Sequence, residues 1–235
     1  MNVITALELA DGLRALQQLI AEQTESHDRN EAETRFHLID CLLQGVLGWD
    51  RADFKLETAQ GRSFTDYEFG NPVRMIWEAK REGIPFSIPV RTRRGNIYDI
   101  ASISAASEDA RDAIMQANRY CLNRGSEIAV ATNGHQFVAF CAREPEITGQ
   151  ILGKCLVISS LADFERNLSR LWDFLSRGDQ ARRPKSLPSP HGSACCAKEA
   201  FSFNPGLSKV SPTDDSPSVT RKHGTLASDQ YRTAG

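Results

Sequence analysis

The sequence predicts an α/β fold in which a central mixed sheet is flanked by helices. Two stretches with apolar residues at helical spacing open the chain, and short apolar runs with strand character follow them. A further amphipathic stretch closes the patterned region near residue 175. Because helical and strand-like segments alternate along the chain, we expect them to pack as layers around one core.

The elements follow in a definite order. The first helix is predicted over 3–24, and the second carries an apolar stripe from Phe36 to Val46 that ends at Leu47-Gly48-Trp49. Three strands come next, then a helix, a hairpin with a type I′ turn at Asn133-Gly134, and a closing helix. The predicted strands are 54–58, 64–69, 73–80, 128–132 and 136–140, with a short one near 97–100, and the later helices are 107–122 and 161–175.

Composition divides the chain into a domain at 1–177 and a tail at 178–235. The tail holds six of the ten prolines and nine serines, with no apolar period, so we expect it to be disordered. The domain carries 20 basic and 25 acidic residues, so bulk charge does not favour nucleic acid and a local basic patch would be needed.

Several classes of protein are excluded by simple patterns. No run of apolar residues is long enough to span a membrane, so no membrane partner is expected. The first residues lack the basic start of a secretory signal. The six cysteines show no CxxC spacing, which argues against a zinc site and against a secreted disulfide scaffold. We therefore expect a cytoplasmic protein.

The strand at 73–80 ends in the first candidate site. Side chains alternate along a strand, so Glu78 and Lys80 share one face. A carboxylate beside an ammonium suits Mg²⁺ and an attacking water. The same spacing arises by chance about once in such a chain, and Asp53-Phe54-Lys55 repeats it. A plain ion pair at a strand end is the alternative interpretation.

Acids and amides on other elements extend this candidate site. Asp66 lies in an apolar strand, where an aspartate needs a partner, and a metal shared with Glu78 would serve. Glu68 shares its face by alternation and is a reserve ligand. Two helical pairs are each spaced four apart and have a structural alternative. For Glu31 with Arg35 it is a surface ion pair, and for Gln116 with Tyr120 it is a half-buried tyrosine beside an amide.

Taken together, these residues resemble the N-terminal nuclease domain of type I restriction enzyme R subunits, a member of the PD-(D/E)XK nuclease superfamily. The resemblance covers about residues 28–142 and implies a restriction-endonuclease-like fold. It rests on six short motifs in order: Asn30-Glu31 with Thr34-Arg35, Leu47-Gly48-Trp49, Asp66-Tyr67, Glu78-Ala79-Lys80-Arg81, Gln116 with Tyr120, and Thr132-Asn133-Gly134.

The resemblance implies a role for each matched residue. Asp66, Glu78 and the helix acid Glu31 would gather Mg²⁺, and Lys80 would serve the attacking water. Glu33 competes with Glu31 for the helix role. The helix that carries Gln116 and Tyr120 would support the site and contact DNA.

The chain also departs from full R subunits. It has no G-x-x-x-x-G-K-[ST] loop and no room for a helicase motor, so it is not expected to translocate DNA alone. A basic cluster follows the site strand, and its arginines are candidates for clamping DNA phosphates, with a solvated loop as the alternative. These are Arg91, Arg93 and Arg94.

The sequence therefore predicts a Mg²⁺-dependent DNA endonuclease of restriction or anti-phage defence type. Its expected partners are double-stranded DNA and other subunits of a restriction or defence complex. The alternative is a non-catalytic DNA-binding or assembly module that retains the fold as a scaffold. His135, beside the predicted turn, is expected at the surface or in a cleft.

Overall fold

The computed structural model describes residues 3–23, 28–61, 63–89 and 96–177. These ranges form a seven-stranded mixed sheet with helices on both faces, which confirms the α/β prediction. Two predictions lie outside the described residues: the disordered tail at 178–235 and the arginine cluster at 91–94.

Six helices and seven strands are present in the described ranges. Helix α2 begins as Glu31–Thr34 and continues through two π-helical stretches, Arg35–Ile39 and Leu42–Val46. The other helices are α1 Val3–Glu22, α3 Ile100–Ala106, α4 Glu108–Arg124, α5 Leu161–Arg166 and α6 Leu168–Leu175, with a short 3₁₀ turn at Arg51–Asp53. The strands are β1 Phe54–Gln60, β2 Ser63–Phe69, β3 Met75–Ala79, β4 Ile97–Asp99, β5 Ile128–Thr132, β6 Phe137–Cys141 and β7 Lys154–Ile158.

The strands lie in the order β1-β2-β3-β5-β6-β7-β4. Strands β3 and β5 are parallel, and every other neighbouring pair is antiparallel. Parallel strands need a long crossover, and here α4 lies between them in the chain and packs on both. The middle of β2, the end of β3, the start of α2 and the middle of α4 carry the residues of the candidate site.

Two apolar cores lie on opposite faces of the sheet, because alternate strand residues point to opposite sides. Helices α1, α2, α5 and α6 cover one face, which includes Trp77 and Phe137. Helices α3 and α4 cover the other. There α4 presents Ala113 and Ala117, and β5 offers Ala129 and Ala131, all fully buried. These small side chains let the helix lie close to the sheet.

Helix α1 crosses the second half of α2 at very close range. A Cβ at Gly12 would lie 2.4 Å from the Val46 carbonyl oxygen and 2.9 Å from Trp172 Cζ3. Glycine is therefore required by backbone approach. Helix α2 ends at Gly48, whose φ of +73° is the left-handed conformation that commonly ends a helix. Trp49 Nε1 then donates to the Leu175 carbonyl at 2.9 Å and ties this end to α6.

The β5–β6 connection differs from the predicted type I′ turn. Such a turn needs positive φ at both central residues, but only Gly134 has it, at +85°. The loop instead spans four residues, closed by the Asn133 amide donating to the Gln136 carbonyl at 3.3 Å. Asn133 Oδ1 accepts from the His135 and Gln136 amides at 3.1 and 2.7 Å, so the asparagine side chain sets the loop shape.

The predicted helix at 161–175 is two helices, α5 and α6, separated at Asn167. Its side chain donates to the Asp163 carbonyl at 2.8 Å, a local bond that competes with continued helix.

Two elements of the fold, β7 and α3, are not among those that the sequence predicts. Strand β7 is a short run, buried from Cys155 to Ile158, and unlike β5 and β6 it has no adjacent Asn-Gly pair to indicate a hairpin.

Candidate active site

The candidate site is built where the pairing of β2 with β3 ends. The last paired residues are Tyr67 and Trp77, and one step beyond them Asp66 and Glu78 leave the ladder. There the Ala79 amide donates to Asp66 Oδ2 at 2.7 Å in place of a strand partner. The aspartate expected to need a partner inside a strand thus has one in the neighbouring backbone.

Lys80 contacts β5 through its backbone and both Glu78 and Gln116 through its side chain. Its amide donates to the Thr132 carbonyl at 2.8 Å, which fixes its backbone against β5. Its Nζ donates to Glu78 Oε1 at 2.9 Å and to Gln116 Oε1 at 3.2 Å. Gln116 Nε2 donates to the Tyr120 hydroxyl at 3.1 Å. The structure therefore brings together four predicted site residues in one chain of contacts.

Glu78 is the most deeply buried acid of the group, with 3% of its side chain exposed. Burial raises its pKa to about 8, and the nearby charges of Asp66 and Glu31 add to the rise, against the opposing effect of Lys80. Within the described part of the chain, its Oε2 has no hydrogen-bond partner. A buried polar atom without a partner is costly, so this oxygen marks a position where a ligand would be favourable.

Asp66 is held from two sides. Burial raises its pKa and the charge of Glu31 adds to this, while the Ala79 amide, Arg35 and Lys80 oppose the rise. Arg35 donates from one guanidinium nitrogen to Asp66 Oδ1 at 3.2 Å. The charge of Asp66 in turn raises the pKa of Glu78, and each of these two acids has a cationic neighbour.

Lys80 is an ammonium in this environment. Burial lowers its pKa, but the carboxylates of Glu78, Glu31 and Asp66 more than compensate, so the pKa lies above its usual value. A charged lysine donates hydrogen bonds and does not accept a proton. Its chemistry here is to orient a water or to stabilise negative charge.

The structure distinguishes between the two helix acids. Glu33 forms a capping box: its Oε2 accepts from the Asn30 amide at 3.0 Å, and Asn30 Oδ1 accepts from the Glu33 amide at 3.0 Å. This is its role at the helix start. Glu31 has an exposed side chain whose charge acts on Asp66, Glu78 and Lys80. Of the two, Glu31 is thus the helix acid whose charge acts on the site residues.

The reserve ligand Glu68 belongs to a separate cluster. It is buried, and its Oε1 accepts from Arg124 Nε at 2.7 Å and from Thr65 Oγ1 at 3.0 Å. Gln60 Nε2 also approaches it at 3.4 Å. These donors hold the carboxylate on the C-terminal part of α4, away from the contacts of Lys80. Glu68 is thus not placed with the candidate site.

Sequence reasoning missed the role of Arg35. The i,i+4 spacing suggested a surface pair with Glu31, but the ion pairs of Arg35 in the described residues join it to Asp66 and Glu57. Glu57 lies on β1 and accepts from Arg35 at 2.8 Å. No spacing rule would reveal this contact, because it depends on how α2 lies across two paired strands.

A buried carboxylate beyond the site strand was also missed. Glu82, with 4% of its side chain exposed, accepts from the Arg29 amide at 3.1 Å and lies 3.2 Å from His135 Nε2. Its own amide donates to Thr34 Oγ1 at 3.0 Å. Glu82 therefore ties the segment after Lys80 to the start of α2 and to the β5–β6 loop. His135 is half-buried beside Glu82.

A groove of about 550 Å³ lies along α4, and Gln116 is among the residues that line it. Arg119 supplies a positive charge, and Asp112 and Glu144 supply negative ones, so the lining does not favour phosphate by charge alone. Contact with a DNA backbone would need other basic residues. Arg91, Arg93 and Arg94, which the sequence predicts for this role, lie outside the ranges that the structure describes.

The donor atoms present are suited in kind to a divalent cation. In the described ranges, no group of three or more His, Cys, Asp or Glu side chains already has metal-binding geometry. Carboxylate oxygens are nonetheless the ligands that Mg²⁺ prefers, and Glu78 offers an unpartnered one. Magnesium binding by Asp66, Glu78 and Glu31 stays a prediction.

None of the helices in the described ranges is long and apolar enough to cross a membrane. No protein-family model, curated protein or solved structure matches the chain.

Proposed function

We propose that this chain is a Mg²⁺-dependent DNA endonuclease domain of PD-(D/E)XK type, with the restriction-endonuclease-like variant of the α/β fold. One observation carries the proposal: Glu78 is buried with an unpartnered oxygen, directly beside a lysine that is itself held by Gln116. A buried carboxylate with a perturbed pKa in such a setting is typical of functional sites.

The order of the elements adds support. Asp66 and Glu78 lie on consecutive antiparallel strands, and Gln116 with Tyr120 lies on a later helix that packs against β3 and β5. These are the elements on which the motifs of type I restriction nuclease domains are expected. The proposed setting is a restriction or defence complex, with double-stranded DNA as substrate and other subunits as partners.

The proposed reaction is hydrolysis of a phosphodiester. Asp66, Glu78 and Glu31 would hold Mg²⁺, which when bound stabilises negative charge on phosphate and lowers the pKa of water. The Lys80 ammonium donates a hydrogen bond to the attacking water and orients it. The water oxygen would form a bond to phosphorus while the bond to the leaving sugar oxygen breaks; the proton that the water loses goes to solvent, and solvent protonates the leaving oxygen. Gln116, itself bonded to Tyr120, would hold the Lys80 ammonium in position through its hydrogen bond.

A specific observation favours a second candidate, the non-catalytic module. Lys80 already pairs with Glu78 and Arg35 with Asp66, so internal cations partly satisfy both carboxylates. A domain that binds DNA or a partner subunit through the same fold would need no more than this. The endonuclease should cleave DNA when Mg²⁺ is added. The non-catalytic module should not cleave, and Mg²⁺ should leave its binding unchanged.

Plasmid cleavage tests the proposal. Supercoiled DNA incubated with the full chain and Mg²⁺ should be nicked or linearised, and EDTA should stop the reaction. Asp66→Ala and Glu78→Ala should each abolish cleavage while the protein keeps a cooperative unfolding transition, and the surface substitution Glu108→Ala serves as control. Activity within a few-fold of wild type in either site variant would overturn the metal assignment. Binding without cleavage by the wild type would favour the non-catalytic module.

A further inference from the structure

Arg35 spans two strands of the sheet from the helix that carries Glu31. Its guanidinium donates to Glu57 Oε1 on β1 at 2.8 Å and to Asp66 Oδ1 on β2 at 3.2 Å. Only 17% of the Arg35 side chain is exposed. A planar guanidinium held by two carboxylates has little freedom to turn, so both acids are fixed relative to α2.

The backbone of β1 is distorted at the residue that anchors this arginine. Glu57 has a φ of +48°, in the left-handed region that side chains other than glycine and asparagine rarely adopt. The ladder is continuous in register on both sides, with Leu56 paired to Tyr67 and Thr58 to Thr65, but Glu57 and Asp66 between them are not strand partners. The distortion therefore lies directly opposite Asp66.

This arrangement gives Asp66 an orientation that the strand alone would not give. One carboxylate oxygen accepts from the Ala79 amide at 2.7 Å, and the other accepts from Arg35. Strain kept in a backbone is compensated by the surrounding structure, and it is often found beside functional groups. Here the strained residue carries the carboxylate that holds Arg35 toward Asp66.

We propose that Arg35, anchored by Glu57, is a positioning residue that orients the Asp66 carboxylate. The inference rests on the proposed function, in which Asp66 is a metal ligand, and adds two residues on which that role depends. Outer partners that orient a ligand affect activity as strongly as many ligands do. The fork geometry of arginine is the property required, because one donor must reach each acid.

The first test separates orientation from charge. Arg35→Gln removes both the charge and the bridge, and Arg35→Lys keeps the charge without the fork. Both should lower the cleavage rate at saturating Mn²⁺ by about tenfold or more. Affinity for Mn²⁺, measured by calorimetry without DNA, should not weaken in Arg35→Gln, because removing a nearby positive charge favours a cation. Arg111→Gln is the matched control, since Arg111 also pairs with two acids, Glu108 and Asp112, on the surface.

The second test asks whether Glu57 acts through Arg35. Glu57→Gln should slow cleavage and weaken Mn²⁺ binding in the wild-type background, and should cause little further change when Arg35 is already glutamine. Glu108→Gln in the Arg111→Gln background gives the corresponding control pair. Glu57 is largely exposed, so this variant is expected to fold even if the arginine variants do not. Thermal unfolding verifies the fold of each variant.

The outcomes are distinct. A rate for Arg35→Gln within twofold of wild type, a full rescue by Arg35→Lys, or losses that add in the double variant would each overturn the positioning role. A parallel loss of rate and Mn²⁺ affinity in Arg35→Gln would also overturn it, because a collapsed site would behave that way. If the wild type binds Mn²⁺ but does not cleave, the proposed function fails. The coupling of Arg35 and Glu57 in Mn²⁺ affinity then decides this inference by itself.

Discussion

Lys80 Nζ lies 2.9 Å from Glu78 Oε1, whereas Glu78 Oε2 on the same buried carboxylate has no hydrogen-bond partner among the described residues. The lysine thus satisfies half of the carboxylate. Because the unsatisfied half is removed from water, the protonated form of Glu78 is favoured, and the folded protein bears a cost when this group ionises.

The metal-free protein should lose stability as this carboxylate ionises. The pKa of Glu78 is about 8 in the folded chain against an ordinary value of 4.5. Between these values the folded state holds a proton that the unfolded state has released, so stability falls as pH rises across that window and levels off above it. Below about pH 4.5 both states are protonated and the effect vanishes.

Glu78→Gln isolates this effect, because glutamine does not titrate. With EDTA present, the melting temperature of wild type relative to Glu78→Gln should drop between about pH 5 and pH 8, by at least about 2 °C, a shift equivalent to about 1 kcal/mol or less. Thermal scans at a series of pH values measure the difference. The melting temperature of wild type relative to Glu108→Gln, a surface variant on α4 that keeps Glu78, should show no such drop. Parallel curves for wild type and Glu78→Gln would contradict the prediction.

Gln116 should control activity more than stability. Its Oε1 accepts from Lys80 and its Nε2 donates to Tyr120, so Gln116→Leu would leave the ammonium without its helix partner. We expect a loss in cleavage rate of about tenfold or more, with a small change in melting temperature. Gln17→Leu is the control, since Gln17 on α1 donates to Glu165 on α5 and neither residue belongs to the candidate site.

Plasmid nicking rates at saturating Mg²⁺ measure this effect. Tyr120→Phe should have a weaker effect than Gln116→Leu, because it removes only the acceptor of the second bond. Equal rates for Gln116→Leu and Gln17→Leu would show that the helix does not hold Lys80 during the reaction.

Two glycines at the contact of α1 with α2 should respond to alanine in opposite directions. Gly12→Ala would place a Cβ 2.4 Å from the Val46 carbonyl oxygen, which is backbone and cannot yield easily. We expect a loss of about 1–3 kcal/mol. A Cβ at Gly45 would lie 3.6 Å from Ala15 Cβ, an ordinary contact. Gly45→Ala should therefore gain up to about 1 kcal/mol from helix propensity.

Urea unfolding of the two variants and wild type measures both changes. The same substitution at the same interface controls for chemistry, so only the backbone approach differs. A stabilised Gly12→Ala would mean that α1 lies farther from Val46 than the structure places it.

The arginine cluster after the site strand should provide the main phosphate contacts. Reversing Arg91, Arg93 and Arg94 to Glu should weaken binding to a labelled duplex at low salt. The slope of log K against log salt should flatten by about 0.9 for each phosphate that the variant no longer neutralises. The control reverses three arginines in helical ion pairs: Arg14, Arg111 and Arg166.

Fluorescence anisotropy at several salt concentrations, with Ca²⁺ in place of Mg²⁺ to prevent cleavage, measures the two sets. Equal reductions in affinity for both triple variants would mean that the cluster is only solvated.

Much of the local structure follows from the sequence alone. The apolar period predicts α1 and α2, and short apolar runs with strand character predict β1, β2, β3, β5 and β6 within a few residues. The shared face of Glu78 and Lys80 is likewise local, since it depends only on the two-residue repeat of a strand. Helical spacing places Gln116 and Tyr120 one turn apart, and the structure joins them by a hydrogen bond.

Other features depend on contacts between distant segments. Strand β4 lies at the sheet edge beside β7, an order that no local pattern specifies. Glu33 takes part in the helix cap, whereas the charge of Glu31 acts on the site residues. This difference depends on the packed structure. The cluster of Glu82 with Arg29 and His135 joins three separate segments in the same way.

Most of the elements, though not β7, α3 or the break at Asn167, and the shared face of Glu78 and Lys80 could therefore be predicted from the sequence, because they depend on propensity and periodicity over a few residues. Which charged groups meet could not. Arg35 has the spacing to pair with Glu31 but contacts Asp66 and Glu57 instead. A long side chain selects its partner by where neighbouring elements place carboxylates, and those positions are fixed by packing across the whole sheet.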